Sequence, residues 1–193
     1  NNHIYAMALA PNGTTNTPII IGGAFTSVSG QLRGGIARLN ADGTLDPTFA
    51  PLLGANGVVR AVAVQPNDKV LLGGEFTRVD NLPFNRLARL DADGRVDATF
   101  EPGSGADDTI FNITLQADGT IYIGGLFTSF NATHRLGFAR LLNNGLVDTS
   151  FLDTAFNHFA GLPKPICNPD VNPKNFVLTS KVQSDGKVLI GGR

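Results

Sequence analysis

The chain has 193 residues, 42% hydrophobic and 16% charged, with a formal net charge of −1. That balance describes a globular body with ample core material, excludes a disordered tail, and argues against nucleic acid as main partner, since phosphate binding needs a basic face. No apolar run approaches the ~20 residues that cross a bilayer, so membrane insertion is not expected, and the lone Cys167 allows no disulfide or cysteine-rich zinc site within the chain.

The chain opens Asn1-Asn2-His3, without an initiator Met or a signal-like segment, which suggests a processed product or a piece of something longer. The first β-type run places Met7 and Leu9 on one face and Ala6 and Ala8 on the other. Past an Asn12-Gly13 turn signal comes Ile19-Ile20-Ile21, apolar on both faces and so expected to be buried on both sides, closed by Gly22-Gly23. A loop, Ser27–Arg33, leads to Ala37-Arg38-Leu39, a turn at Asp42-Gly43, and a fourth run ending Asp46-Pro47-Thr48-Phe49. The unit then recurs. Val62 and Val64 oppose Ala61 and Ala63, followed by Val70-Leu71-Leu72-Gly73-Gly74, the loop Arg78–Asn85, Ala88-Arg89-Leu90, Asp93-Gly94 and Asp97-Ala98-Thr99-Phe100. The third copy sets Ile113 and Leu115 against Asn112 and Thr114, then runs through Ile121-Tyr122-Ile123-Gly124-Gly125, the loop Ser129–Arg135, Ala139-Arg140-Leu141, Asn144-Gly145 and Asp148-Thr149-Ser150-Phe151. An insertion separates it from a final Val188-Leu189-Ile190-Gly191-Gly192.

The first three diglycines lie 51 residues apart and the fourth follows after 67. A fixed period of this size signals a repeat architecture of stacked units. Asp-Gly and Asn-Gly between apolar runs, including Asp118-Gly119 and Asp185-Gly186, predict type I′ hairpins with positive φ at both central residues. The large face of one small sheet can nest on the small face of the next, as in sheets stacked around an axis. The glycine pairs then mark close backbone approach rather than a phosphate cradle, since no lysine or helix start follows them. Arg38, Arg89 and Arg140 recur with Asp46, Asp97 and Asp148. Repetition in every copy favours an internal ion pair or Asx-type turn over a ring of ligand-binding charges. Phe49, Phe100 and Phe151 read as core filler between adjacent sheets. The expected organisation is all-β: four-stranded units at about 4–54, 55–105 and 106–155, a partial fourth at 174–193, and an insertion loop at 152–173.

The phrase Gly-Gly-x-Phe-Thr, then Ala-Arg-Leu-Asn/Asp-x-Asp-Gly-x-x-Asp-x-Thr/Ser-Phe, closely resembles the bacterial delta-60 repeat over almost the whole chain. Four strands with a diglycine closing the second also resemble, more loosely, the kelch repeat; the Trp expected near its end is Phe here. The resemblance implies a β-propeller-like array of blades, three complete and one partial, in large secreted or surface-attached bacterial proteins. It brings no known catalytic residues.

Function is expected on the rim, in the three strand-two-to-three loops with Arg33 and Arg135, and in the insertion with Phe156, His158, Phe159, Lys164 and Asp170, stiffened by four prolines. The leading expectation is a non-catalytic extracellular or cell-surface scaffold or adhesion module binding protein or carbohydrate. The alternatives are a structural unit of a surface filament, or a glycan-active enzyme with an acid pair in the propeller cleft. His3, His134 and His158 lack metal-ligand spacing, and Asp107-Asp108 falls at an inter-repeat turn where solvated acids are expected. No cofactor is expected: the Asp-x-x-x-Asp spacing of Asp42 and Asp46 could suggest calcium but lacks its oxygen ligands. Asn12, Asn112 and Asn131 open glycosylation sequons, Asn112 by chance within a buried strand. A truncated fourth blade leaves an open edge, so further repeats or other copies are expected as partners.

Overall fold

A computed structural model describes residues 2–10, 17–151 and 176–193. Among these residues all regular structure is β. In the first unit β1 (Ile4–Leu9), β2 (Ile19–Gly23) and β5 (Ile36–Leu39) form an antiparallel sheet in that order, while β3 (Ser27–Val28) and β4 (Gln31–Leu32) form a separate ribbon. The second unit repeats this with β6 (Val59–Val64), β7 (Val70–Gly74) and β10 (Leu87–Leu90), and a ribbon of β8 (Arg78–Val79) and β9 (Leu82–Pro83). The third does so with β11 (Ile110–Leu115), β12 (Ile121–Gly125) and β15 (Phe138–Leu141), and a ribbon of β13 (Ser129–Phe130) and β14 (Thr133–His134). The hairpin β16 (Val177–Val182) and β17 (Val188–Gly192) begins a fourth.

Two local expectations are corrected. The fourth run of each unit pairs through one residue only, Leu45 with Leu39, Val96 with Leu90 and Val147 with Leu141. The next residue is the reason: Asp46, Asp97 and Asp148 each accept, through Oδ1, the backbone N–H two positions on (2.8, 2.9 and 2.9 Å), and this Asx turn diverts the chain from the ladder. The blades are therefore three-stranded sheets with a single bridge at the outer edge. The Asp-Gly turns are also not type I′. Only the glycine has positive φ in Asp42-Gly43, Asp93-Gly94 and Asp118-Gly119, so each loop is a turn followed by a left-handed glycine. The aspartate stays right-handed because its Oδ1 accepts the N–H two residues ahead, at Thr44, Arg95 and Thr120. In the second unit Asp68 takes the left-handed position (φ 62°) that Gly119 and Gly186 hold in later ones.

The first strands β1, β6, β11 and β16 pack against one another in succession. On β6 the large residues Val62 and Val64 join a core with Ile20, Ile36 and Phe49 of the preceding unit, while Ala61 and Ala63 meet Ile113 and Leu115 of the following one. Large stripes thus nest on small ones. The second strands of the first three units are buried on both faces, with Ile20, Val70, Leu71, Leu72, Ile121 and Ile123 inaccessible or nearly so; β17 departs from this, with Leu189 exposed and Val188 and Ile190 half-buried, because no third strand flanks it among the described residues.

Each of the first three diglycines serves two purposes, and the fourth shares the second of them. The first glycine faces the neighbouring unit: a Cβ on Gly22 would lie 2.8 Å from Val59 Cγ1, on Gly73 2.7 Å from Ile110 Cγ2, and on Gly124 2.8 Å from Val177 Cγ1. The second faces its own sheet, where a Cβ would fall on the carbonyl oxygen of His3, Val58, Thr109 or Phe176. That carbonyl precedes a bulge, which occurs between Ile4 and Ala6, Val59 and Ala61, Ile110 and Asn112, and Val177 and Thr179.

An arginine clamp joins consecutive blades on the opposite side. Arg38 donates to Asp46 (2.7 Å) and to the Ala92 carbonyl of the next unit (2.7 Å), with its guanidinium over the Phe49 ring. Arg89 likewise holds Asp97 (2.6 Å) and the Asn143 carbonyl of the next unit (2.5 Å), above Phe100. Arg140 pairs with Asp148 over Phe151. Burial alone would raise the Asp97 carboxyl, but Lys69, Thr99 and Arg89 outweigh it and hold the group far below the usual carboxylate range. Asp46 is lowered in the same sense, against burial, by Thr48 and Arg38; Asp148 is lowered chiefly by Ser150 and also by Arg140. These arginines and aspartates are joints of the scaffold.

Candidate recognition face

Both the ribbons and the bulges lie at the diglycine end of the sheets, so one face of the described residues carries the three strand-two-to-three loops of the predicted rim. These loops are ordered by stitches to the connectors that join consecutive units. Gly54 forms a parallel bridge with Gly34 of the preceding blade, and Ala55 an antiparallel bridge with Val79 of the following ribbon; Ala106 repeats the second with Phe130. Asn56 Oδ1 accepts from the N–H groups of Thr77 and Arg78, both at 2.9 Å. Asp107 does the same for Thr128 (2.8 Å) and Ser129 (3.0 Å), and its Oδ2 accepts from the Thr128 hydroxyl. Asp80 Oδ1 caps Leu53 and Gly54, and Asn131 Oδ1 caps Ser104.

Asp107 is exposed and Asp108 half-buried at this inter-repeat turn, yet both are engaged by the backbone around them. Partial burial pushes Asp107 up, but donors on Thr128 and Ser129 outweigh it and lower the carboxyl, while Asp108 accepts from the Thr109 N–H at 2.7 Å. Both carboxylates fasten backbone. Asn112 is likewise engaged, as its Oδ1 accepts from the Ser180 hydroxyl of the next unit.

Arg33 and Arg135, expected to face a ligand, lie under the rim at 8% and 4% exposure. Arg33 donates to the Leu32 carbonyl and Arg135 to the His134 carbonyl (2.7 and 2.9 Å), and each Nε is buried without an acceptor. Phe84 holds the matching position in the second unit and packs into the apolar core there, so this position supports the ribbon from below. Phe156, His158, Phe159, Lys164 and Asp170 lie outside the described residues.

Two features of this face were not anticipated. The first is a cleft of about 400 Å³ between the second and third blades, lined by Asn85, Arg86, Ser104, Asp107 and Ser129 among others. Arg86 has φ 67°, the value of Gly35 and Gly137 at the same position of the flanking units. A left-handed arginine costs about 1 kcal/mol over glycine. Its guanidinium reaches back to the Glu75 and Phe76 carbonyls, which fixes the side chain at the lip.

The second feature is the row of bulged residues, Tyr5, Arg60, Phe111 and Leu178, one on each first strand. A bulge turns its extra side chain out of the inward/outward alternation. Arg60 sits 4.2 Å above the Tyr5 ring and pairs with Glu75 at 2.6 Å, while His3 stacks near Tyr5 and Phe111 meets Phe176 edge-on. Tyr5 and Leu178 are 45% and 50% exposed, so a half-open surface runs across adjacent blades. Around it the repeat differs in every copy, with Ala24, Glu75, Leu126 and Arg193 directly after the glycines. In sequence Tyr5, Arg60 and Phe111 continue the large/small alternation of Met7, Val62 and Ile113, so nothing local marks them as bulged. Among the described residues no three His, Cys, Asp or Glu side chains converge as metal ligands.

Repeated antiparallel sheets, packed first strand to first strand with clamps between them, define a β-propeller repeat protein. The chain belongs to the β-propeller family described as a domain of unknown function (DUF5122), which matches residues 19–49, 65–100 and 116–151, together more than half of the sequence. Each matched segment spans the second strand, ribbon, third strand and Asp-Phe closure of one blade. A search of curated proteins finds no match.

Proposed function

We propose that this protein is a non-catalytic recognition and scaffold module of delta-60, kelch-like type, acting outside the cell or on its surface and binding a partner through its diglycine end. The observation that supports this is the contrast within each repeat. Glycines, clamp arginines, Asx-turn aspartates and closing phenylalanines recur in three or more copies, whereas the bulged positions differ in every one. Tyr, Arg and Phe are the side chains that dominate protein–protein hot spots, which favours a protein over a glycan as partner.

The test is a displayed peptide library and a glycan array screened with the same purified chain. Binding that falls at least about tenfold in Arg60→Ala and Phe111→Ala, and not in Lys187→Ala at the far end, is expected. Ligands indifferent to both bulge substitutions would refute the reading, and glycan-only binding would reassign the partner class. A filament unit is the second reading, favoured by Met7 and Leu9, which are 68% and 63% exposed on the outer face of β1, where inner blades carry a neighbour.

A further inference from the structure

The joint between the third and fourth units differs in chemistry from the others. Between the first and second units, and between the second and third, aliphatic residues meet alanines: Val62 and Val64 against Ala6 and Ala8, Ile113 and Leu115 against Ala61 and Ala63. At the last joint the alanine positions are Asn112 and Thr114, and the position of Val62 and Ile113 is Ser180, which is 8% exposed. The three side chains close on one another. Ser180 Oγ donates to Asn112 Oδ1; Thr114 Oγ1 lies 2.8 Å from Ser180 Oγ, 3.0 Å from the Ser180 carbonyl and 3.2 Å from Asn112 Oδ1.

We infer that the Asn112–Thr114 face is a selective docking surface that accepts a sheet bearing a hydroxyl at its centre and rejects the aliphatic sheets of the other blades. An aliphatic side chain placed there removes the hydroxyl donor from the half-buried Asn112 amide oxygen and a partner from Thr114, which keeps only the residue-180 carbonyl and Asn112. A serine placed on an alanine face strands its own hydroxyl. Each mismatch leaves a desolvated polar group short of a partner, whereas either matched pairing is satisfied. Selectivity matters most at this joint. Phe49 to Val59 and Phe100 to Ile110 span 10 residues, but Phe151 to Val177 spans 26, and bringing together positions further apart in sequence costs more entropy, which the joint itself must offset. Among the described first strands only β16 carries a hydroxyl at that position, and it is the one that follows the 26-residue span.

The experiment is a two-by-two comparison in the full chain, Asn112/Thr114 or Ala/Ala on the third blade against Ser180 or Val on the fourth. Amide exchange of Val177–Val182 reports docking. Ser180→Val is expected to speed exchange there about tenfold or more although the substituted residue is more apolar, and N112A/T114A alone does likewise. The triple variant N112A/T114A/S180V restores protection, because the joint then copies the other two. Unchanged exchange in Ser180→Val, or a triple variant no better protected than Ser180→Val, overturns the inference.

Discussion

The sharpest consequence of the fold is that the two glycines of each pair fail in different ways when given a side chain. An alanine at Gly73 places its Cβ 2.7 Å from Ile110 Cγ2 and 3.2 Å from Ile113 Cδ1 of the next blade. Ordinary carbon contacts are about 3.5–4.0 Å, so the two sheets must separate by about 1 Å or Ile110 must leave its rotamer. Overpacking of this kind costs about 1–3 kcal/mol, less a few tenths returned by the stiffer unfolded chain. At Gly74 the obstacle is the Val58 carbonyl of the same sheet, which also accepts the Glu75 N–H at 2.8 Å, so Gly74→Ala must break local pairing and costs more. Ile110 is fully buried, and Ile110→Ala alone costs about 2–5 kcal/mol. Combined with Gly73→Ala it removes the clashing methyl, so the double variant is more stable than the sum of the singles by about 1–2 kcal/mol. Combined with Gly74→Ala it gives no such recovery. Urea unfolding followed by far-ultraviolet circular dichroism reads all five variants against the unsubstituted protein. Equal coupling of Ile110 to both glycines, or a Gly74→Ala milder than Gly73→Ala, would show the close approaches to be misassigned.

Removing Arg89 leaves Asp97 (2% exposed) held by Lys69 and Thr99 alone and releases the Asn143 carbonyl, so Arg89→Ala is expected to lose about 1.5–3 kcal/mol by thermal or urea melting, and more than Arg38→Ala at its more exposed joint. Asp68→Gly relieves a left-handed aspartate whose Oδ1 is buried without a donor, and should raise the melting midpoint by about 2–4 °C. Asp46, Asp97 and Asp148 titrate lower in the folded than in the unfolded state. Their stabilisation is therefore complete above the ordinary value of 3.8 and is lost as pH falls below it. Melting temperatures between pH 7 and 2.5 should stay level to about pH 4 and then fall, less steeply in Asp97→Asn measured from its own lower plateau. Asp107→Ala should speed amide exchange at Thr128 and Ser129 while leaving the β11–β12 ladder protected.

Much of the scaffold was legible because period and side-chain size carry it. The double burial of the second strands in the first three units follows from their continuous apolar runs, and the nesting of Val62 on alanine from alternation. What alternation could not carry was hydrogen bonding by side chains to backbone. Asp46 and its equivalents end the fourth strand after one pair, and Asp107 ties down a turn; in sequence both look like ordinary turn acids. Arg33 and Arg135 look like rim charges because nothing local distinguishes an arginine folded beneath a ribbon from one above it. The bulged row went unread because Tyr5, Arg60 and Phe111 keep the size alternation of their strands, so only the carbonyl facing each second glycine shows where the extra residue sits.

The single bridge at the outside of each blade has a bearing on how such repeats coexist in number. A sheet edge one residue pair long, bent away by an aspartate and locked by an arginine, offers no ladder on which a foreign strand could extend. Many blades can therefore be strung in one chain, or crowded at one site, without their peripheries fusing into fibrils.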